Sequence, residues 1–258
     1  MKKQRLDLAV VERGLADTRS KAQSLIMARR VLVNGAYVDK AGAGVGGDDE
    51  IVLAALEHPW VGRGGMKLAH ALKELGIDVR GKICADIGAS TGGFTDVLLQ
   101  SGAARVYAID VGYGQLDASL RADPRVVVRE KVNARYLEAS DFDETIDFVS
   151  IDVSFISLTL ILPAVAKFLR GELVALIKPQ FEVGKGDVGK GGIVRDEAKR
   201  AAAVENVVAF ARSIGFDVKD LIESPIKGAE GNVEYLMHAL HWPGTREVPP
   251  ATTPVSRP

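Results

Sequence analysis

The chain has 258 residues, 47% of them hydrophobic and 26% charged, with a formal net charge of -1 at pH 7. That length can bury a full core as one large domain or as one medium and one small domain, and the near-zero charge excludes a global basic field as the basis of nucleic-acid binding. No apolar run approaches the roughly 18 residues of a membrane span, charges interrupt any signal-like core in MKKQRLDLAVVERG, and the one cysteine, Cys84, lies in the apolar run KICADIG. A soluble cytoplasmic protein is expected, with no membrane segment, disulfide framework or metal cluster, and with Cys84 as a packed core thiol.

The charge is unevenly spread. Residues 1–30 hold eight basic side chains, among them Arg5, Arg19, Lys21, Arg29 and Arg30, against three acidic ones, which predicts a small basic face. RLDLAVVERG places Leu6, Val10 and Val11 at helical spacing before Gly14, and SKAQSLIMARR opens a second helix at the cap residue Ser20. VLVNGAYV is two short β runs joined by Asn34-Gly35, a strong hairpin signal, and EIVLA adds a strand after AGAGVGG. Two short basic helices followed by a hairpin resemble the S-four type RNA-binding domain, so residues 1–57 are read as a small α+β RNA-binding domain. LEHPWVGRGG then reads as an interdomain linker over 58–65, carrying Arg63 and placing Trp60 between the domains.

From 66 to 242 the patterns alternate. KLAHALKELGI is helical, KICADIG a strand, GGFTDVLLQSG a helix and ARVYAID a strand; RVVVREKV, IDFVSIDV and ELVALIK are further strands, with SLTLILPAVAKFLR as a crossover helix. The helix EAKRAAAVENVVAFARSIG precedes two last strands in FDVKDLIESP and NVEYLMHALHW. This order predicts an α/β domain built on a mostly parallel, seven-stranded, doubly wound sheet. A proline-rich tail over 243–258 reads as disordered.

Ligands of such sheets bind beyond the carboxyl ends of the strands. The first strand runs into DIGASTGGFTDVLL, where Gly88, Gly92 and Gly93 permit a tight turn and Ser90 and Thr91 leave room for a ligand at the next helix start. The second ends on Asp110, an acid suited to accept hydrogen bonds from both hydroxyls of an adenosine ribose. The order D-x-G-x-x-x-G-G then AID favours S-adenosylmethionine over a dinucleotide, with the donor's amino-acid end at the loop near an acid such as Asp86. With Ala89, Phe94, Val111, Asn133 and Asp152, these residues form the expected donor-binding set.

The other strand ends carry Asp152 in SIDVSF, Lys178 in LIKPQFE and Glu234 in GNVEYL, while Lys67 opens the helix before the first strand. Taken singly, each reads as a solvated charge or half of a structural ion pair; together with the donor loop they converge on one pocket. The pattern resembles the Lys-Asp-Lys-Glu tetrad of ribose 2'-O-methyltransferases related to FtsJ. With the N-terminal unit and the strings GASTGGFTDVLL, DVGYGQL, SFISL, KPQFEVGKG and GNVEY, the chain to about Trp242 resembles the TlyA family. The resemblance implies a Rossmann-like class I methyltransferase sheet, S-adenosylmethionine as cofactor, and methylation of cytidine 2'-hydroxyls in ribosomal RNA. The large subunit is the expected target, because no clear helix follows MHALHWP and members acting on both subunits often carry one. The expected partner is ribosomal RNA or a ribosomal subunit, with the protein a monomer that takes no metal. Members are also called haemolysins, yet no amphipathic segment is left over once both domains are assigned.

A ribose hydroxyl is a poor nucleophile until it loses its proton, so in-line attack on a sulfonium methyl needs a base within hydrogen-bond reach. Lys178 is the candidate, since burial at a strand end and a nearby cation, Lys67, favour a neutral amine while the carboxylates push the other way; Asp152 and Glu234 are therefore given orienting roles, holding both lysines and the hydroxyl in line. The segment EVGKGDVGKGGIVRD, with Lys185, Lys190 and Arg195, reads as a mobile lid against RNA phosphate. Phe155, Phe181 and Tyr113 are candidate stacking surfaces, with core packing the more ordinary use of each. The competing readings of other classes are a non-catalytic RNA-binding protein on a methyltransferase fold and a membrane-active haemolysin.

Overall fold

The computed structural model describes residues 3–27, 29–54, 58–184, 188–189, 191–228 and 231–242. The tail read as disordered, and Lys185 and Lys190 of the candidate lid, lie outside the described residues.

The N-terminal unit contains β1 (Gln4–Arg5), α1 (Leu6–Glu12), α2 (Arg19–Met27), β2 (Val31–Val33), β3 (Ala36–Tyr37), β4 (Gly44–Val45) and β5 (Ile51–Leu53). The strands β3, β2 and β5 form one antiparallel sheet in that order, and β1 pairs with β4, a ladder too short to leave a sequence pattern. Asn34 (φ 51°) and Gly35 (φ 77°) both take the left-handed conformation that a two-residue hairpin turn needs. Leu6, Val10, Ile26, Val31, Val45 and Ile51 close a small core of their own. Fully burying each such side chain contributes roughly 1.5–3 kcal/mol.

The larger unit follows as α3 (Gly65–Glu74), β6 (Ile83–Ile87), α4 (Gly93–Gln100), β7 (Arg105–Asp110), α5 (Ala118–Ala122), β8 (Val126–Glu130), β9 (Ile146–Ile151), α6 (Leu162–Phe168), β10 (Leu169–Ile177), α7 (Pro179–Glu182), α8 (Glu197–Ser213), β11 (Asp217–Glu223) and β12 (Tyr235–His241). Seven strands lie in the order β11-β12-β10-β9-β6-β7-β8. All neighbours are parallel except those of β12, which runs antiparallel to both β10 and β11. The expected crossover helix is shorter than its apolar run: a 3-10 turn occupies Leu158–Leu160, Pro163 falls in the first turn of α6, and Leu169 already belongs to β10.

Period-two alternation along β10 divides its side chains between two cores. Leu173, Ala175 and Ile177 face the side of α6 and α8, whereas Val174 and Leu176 face the side of α3 and α4. Lys178, next in the second series, therefore emerges beside α3, the helix that carries Lys67. Pro179 stops the ladder and at the same time opens α7, because its missing N–H is no loss in a first helical turn. Cys84 is fully buried, and desolvation pushes its thiol up to about 12, as suits a packing residue.

Candidate active site

The sheet changes winding direction between β6 and β9, the place where such folds bind ligands. Asp152 donates its N–H to the Ile87 carbonyl at 2.9 Å, which brings the ends of β6 and β9 together there. Gly88, at φ 86°, sits so close to the Asp152 carbonyl that a Cβ would collide with it, and a Cβ at Gly92 (φ 99°) would meet Leu116 and Leu120. Both ends of this loop therefore require glycine.

Two adjoining cavities open here. The first, about 460 Å³, is lined by Gly88, Ser90, Asp110, Val111, Asn133 and Asp152 among others. Asp110 accepts the Ser90 N–H at 2.8 Å and the Gly112 N–H at 2.6 Å, so its carboxylate is held in place by the loop. The second, about 260 Å³, is lined by Arg63, Lys67, Gly88, Ala89, Thr91, Gly93, Phe94, Asp152 and Lys178. Asp86 lines neither. It is fully buried beneath the glycine loop, accepting the Thr95 hydroxyl at 2.7 Å and the Ser150 hydroxyl at 3.0 Å.

Desolvation pushes the Asp86 carboxyl up to about 7, against the pull of those two hydroxyls. A folded-state value above the unfolded one means that the folded state holds a proton the unfolded chain releases. This contribution is complete below the ordinary carboxylate range and is lost as pH rises towards about 7. Asp86→Asn, which cannot ionise, should flatten that part of the curve of melting temperature against pH; an unchanged slope would contradict the assignment.

The four polar candidates do meet, as two ion pairs. Lys67 Nζ lies 2.5 Å from Glu234 Oε2, with side chains 9% and 2% exposed. Lys178 Nζ lies 2.6 Å from Asp152 Oδ1, but its hydrogen bond goes to Ser154 Oγ at 2.9 Å, which leaves Oδ1 without a well-directed donor. Burial raises the Asp152 carboxyl, and the charges of Lys178 and then Lys67 outweigh it, so the net shift is downward. Each lysine is thus held against a carboxylate: the charge nearest Lys178 is that of Asp152, and Lys67 is occupied with Glu234. Ser154 was missed. Its only signal was a small hydroxyl two residues beyond Asp152 in SIDVSF.

Several predicted nucleic-acid contacts have other employment. Arg5 and Arg19 both bind Asp7, a fully buried carboxylate whose pKa the Arg5 hydrogen bonds hold well below the usual range, while Lys21 pairs with Asp117 of the larger unit. Arg29 lies over the Tyr37 ring, 5.7 Å from its centroid, and Arg30 donates to the Ala54 carbonyl. Arg63 lines the smaller cavity and Arg195 is exposed. The expected core packing of Phe155 and Tyr113 is overturned: they are 90% and 66% exposed, Phe155 beside the half-buried Phe181 at 5.1 Å between ring centroids.

Trp60 also departs from expectation. It packs on the core of the larger unit, and a Cβ at Gly65 would strike it. Val61 donates its N–H to Asp96 Oδ2 at 2.8 Å, and Gly62 and Gly93 approach with no room for side chains, so residues 60–65 are interlocked with the end of the glycine loop and the start of α4. Trp60→Ala should consequently weaken donor binding, by about tenfold if half the packing of a large side chain is lost. Calorimetry with S-adenosylmethionine measures this, and unchanged affinity alongside lost RNA methylation would restore Trp60 to a purely interdomain role.

The FtsJ-like methyltransferase model matches residues 60–240 and the S4 domain model residues 4–51. The 16S/23S rRNA (cytidine-2'-O)-methyltransferase TlyA of Mycobacterium tuberculosis is 47% identical over 90% of this chain and 88% of its own. The chain belongs to the TlyA family. Hemolysin A of Brachyspira hyodysenteriae is also 47% identical to this TlyA-family methyltransferase, over 92% of the chain and 99% of its own. A solved hemolysin-designated chain from Streptococcus thermophilus superposes with a TM-score of 0.74 at 47% identity, covering 94% of this chain and 90% of that one. Among the described residues, no helix of this TlyA-family chain is long and apolar enough to cross a membrane.

Proposed function

We propose that this TlyA-family methyltransferase moves the methyl group of S-adenosylmethionine to the 2'-hydroxyl of a cytidine in ribosomal RNA. The observation that carries the reading is the pair of Lys–carboxylate ion pairs beside a glycine cradle with a ribose-binding acid. The larger cavity suits the cofactor: backbone at Gly88 to Gly93 would face its amino-acid end, Asp110 its ribose hydroxyls, and Val111 and Asn133 the remainder. When bound, the cofactor supplies an electrophilic sulfonium methyl.

The work of the chain is to deprotonate and align. Lys178, once its amine is neutral, takes the hydroxyl proton; Asp152 and Ser154 hold Nζ in line. Lys67, fixed by Glu234, supplies a positive wall that favours the developing alkoxide. Phe155, exposed and at φ 64°, sits at the mouth of the cofactor cavity, where an aromatic face suits an unstacked base. Residues 1–57 serve as the RNA-holding unit and 66–242 as the catalytic one, joined through 58–65.

Purified protein, tritiated S-adenosylmethionine and isolated large or small ribosomal subunits provide the test. Label fixed in RNA at a nucleotide that resists alkaline cleavage supports 2'-O transfer, and the subunit that takes it identifies the target. Cofactor binding with no label in either subunit would favour the non-catalytic RNA-binding reading.

A further inference from the structure

We propose that helix α2 of the N-terminal unit forms a wall of the acceptor cavity, and that the Lys21–Asp117 ion pair is the positioning contact that seats it there. The inference rests on the methyltransferase reading above and extends it to how RNA is placed. Lys21 Nζ is 2.7 Å from Asp117 Oδ2, and both side chains are largely covered, at 23% and 29% exposure. Asp117 is itself rigidly held. Its Oδ1 caps α5 by accepting the Ser119 N–H at 3.0 Å and the Ser119 hydroxyl at 2.8 Å, and its own N–H donates to the Thr91 carbonyl in the donor loop at 3.1 Å. Lys21 thus grips a residue that is bonded directly to the donor loop.

Lys21, Ser24 and Met27 follow at intervals of three, a spacing that brings helical side chains to neighbouring positions on one side. Ser24 and Met27 line the smaller cavity together with Lys67, Asp152 and Lys178, and Met27 lines the cofactor cavity as well. Met27 is 57% exposed, an unbranched and adaptable apolar surface at the junction where acceptor meets donor. A helix fixed at one end by an ion pair and contributing to both cavities sets the distance from RNA bound on the N-terminal unit to Lys178. This accounts for Lys21 in a way that phosphate contact does not.

A double-mutant cycle on the full-length protein separates the two roles. Asp117→Asn retains a good helix cap while removing the charge, Lys21→Met removes the cation, and Lys21→Arg keeps the pair. Each of the first two should lower kcat on ribosomal subunits by between about tenfold and a hundredfold, leave S-adenosylmethionine affinity within about twofold, and combine with no further loss; Lys21→Arg should restore most of the rate. Losses that multiply, or a salt dependence of RNA binding shallower by about one ion for Lys21→Met alone, would overturn the proposal in favour of phosphate contact. An activity-free readout is a spin-label distance between Leu8→Cys and Leu160→Cys, both exposed sites, with the buried Cys84 thiol left unlabelled. One narrow distance that broadens in both Lys21→Met and Asp117→Asn supports the contact, and a distribution unchanged by either overturns it. If the wild type fixes no label in RNA, the methyltransferase reading fails, and the distance measurement still judges the contact.

Discussion

Lys178→Arg is expected to keep the fold and the cofactor affinity and to lose methyl transfer by about 10²–10⁴-fold, the usual worth of a positioned general base. Arginine preserves the positive partner of Asp152, so the buried carboxylate stays compensated, but a guanidinium does not give up its proton in a protein. Lys178→Ala should abolish transfer equally while keeping cofactor affinity within a few fold. It also leaves Asp152 with only the more distant Lys67 as counter-charge, so its melting temperature should fall where that of Lys178→Arg does not. The comparison therefore separates base from brace. Transfer by Lys178→Arg within about tenfold of wild type would remove Lys178 from the role of base.

The second large effect is expected at Lys67 and Glu234. Glu234→Gln leaves an ammonium buried against a neutral amide, and breaking one side of a buried pair costs about 3–5 kcal/mol. Spread over a domain of this size, that is a fall in melting temperature of roughly 10 °C. The double change Lys67→Met with Glu234→Leu replaces both charges by apolar groups of similar size and should recover most of the stability, since a buried pair and its hydrophobic isosteres often break even. Methyl transfer should stay low in both variants, because Glu234→Gln releases Lys67 from the carboxylate that fixes it and the double change removes its positive charge altogether. If the double variant recovers transfer together with stability, the pair is only a structural brace.

The strands, their order along the chain and the two cradle glycines at 88 and 92 were readable, because apolar runs of four to seven residues between glycine-marked turns have few other solutions. Asp110 and Asp152 followed from their places at strand ends. Asp86 misled: the same position that puts an acid near a ligand also puts it over the core, and the hydroxyls of Thr95 and Ser150 that claim it come from α4 and β9. Phe155 misled in the other direction, since composition assigns an aromatic to a core and says nothing of a left-handed backbone that turns it outward. The basic residues near the N-terminus were counted correctly as charges, but Asp7 and Asp117 absorb three of them, and a count does not reveal pairing.

By itself the sequence determined the two-unit plan, the seven-stranded α/β class, the glycine loop after β6 and the positions of four polar residues near strand ends, all of them properties of local pattern and spacing. Only the tertiary structure decided how those four residues combine. Glu234 precedes β12, and because that strand alone runs antiparallel, its start lies beside the end of β10, with Tyr235 opposite Ile177. A parallel β12 would have left Glu234 at the opposite end of the sheet, beside the start of β10. Strand direction is set by long-range pairing and by the cores on either face, so no window of residues around Glu234 could have specified that it would meet Lys67, nor that α2 of the N-terminal unit would come to rest on the same cavity.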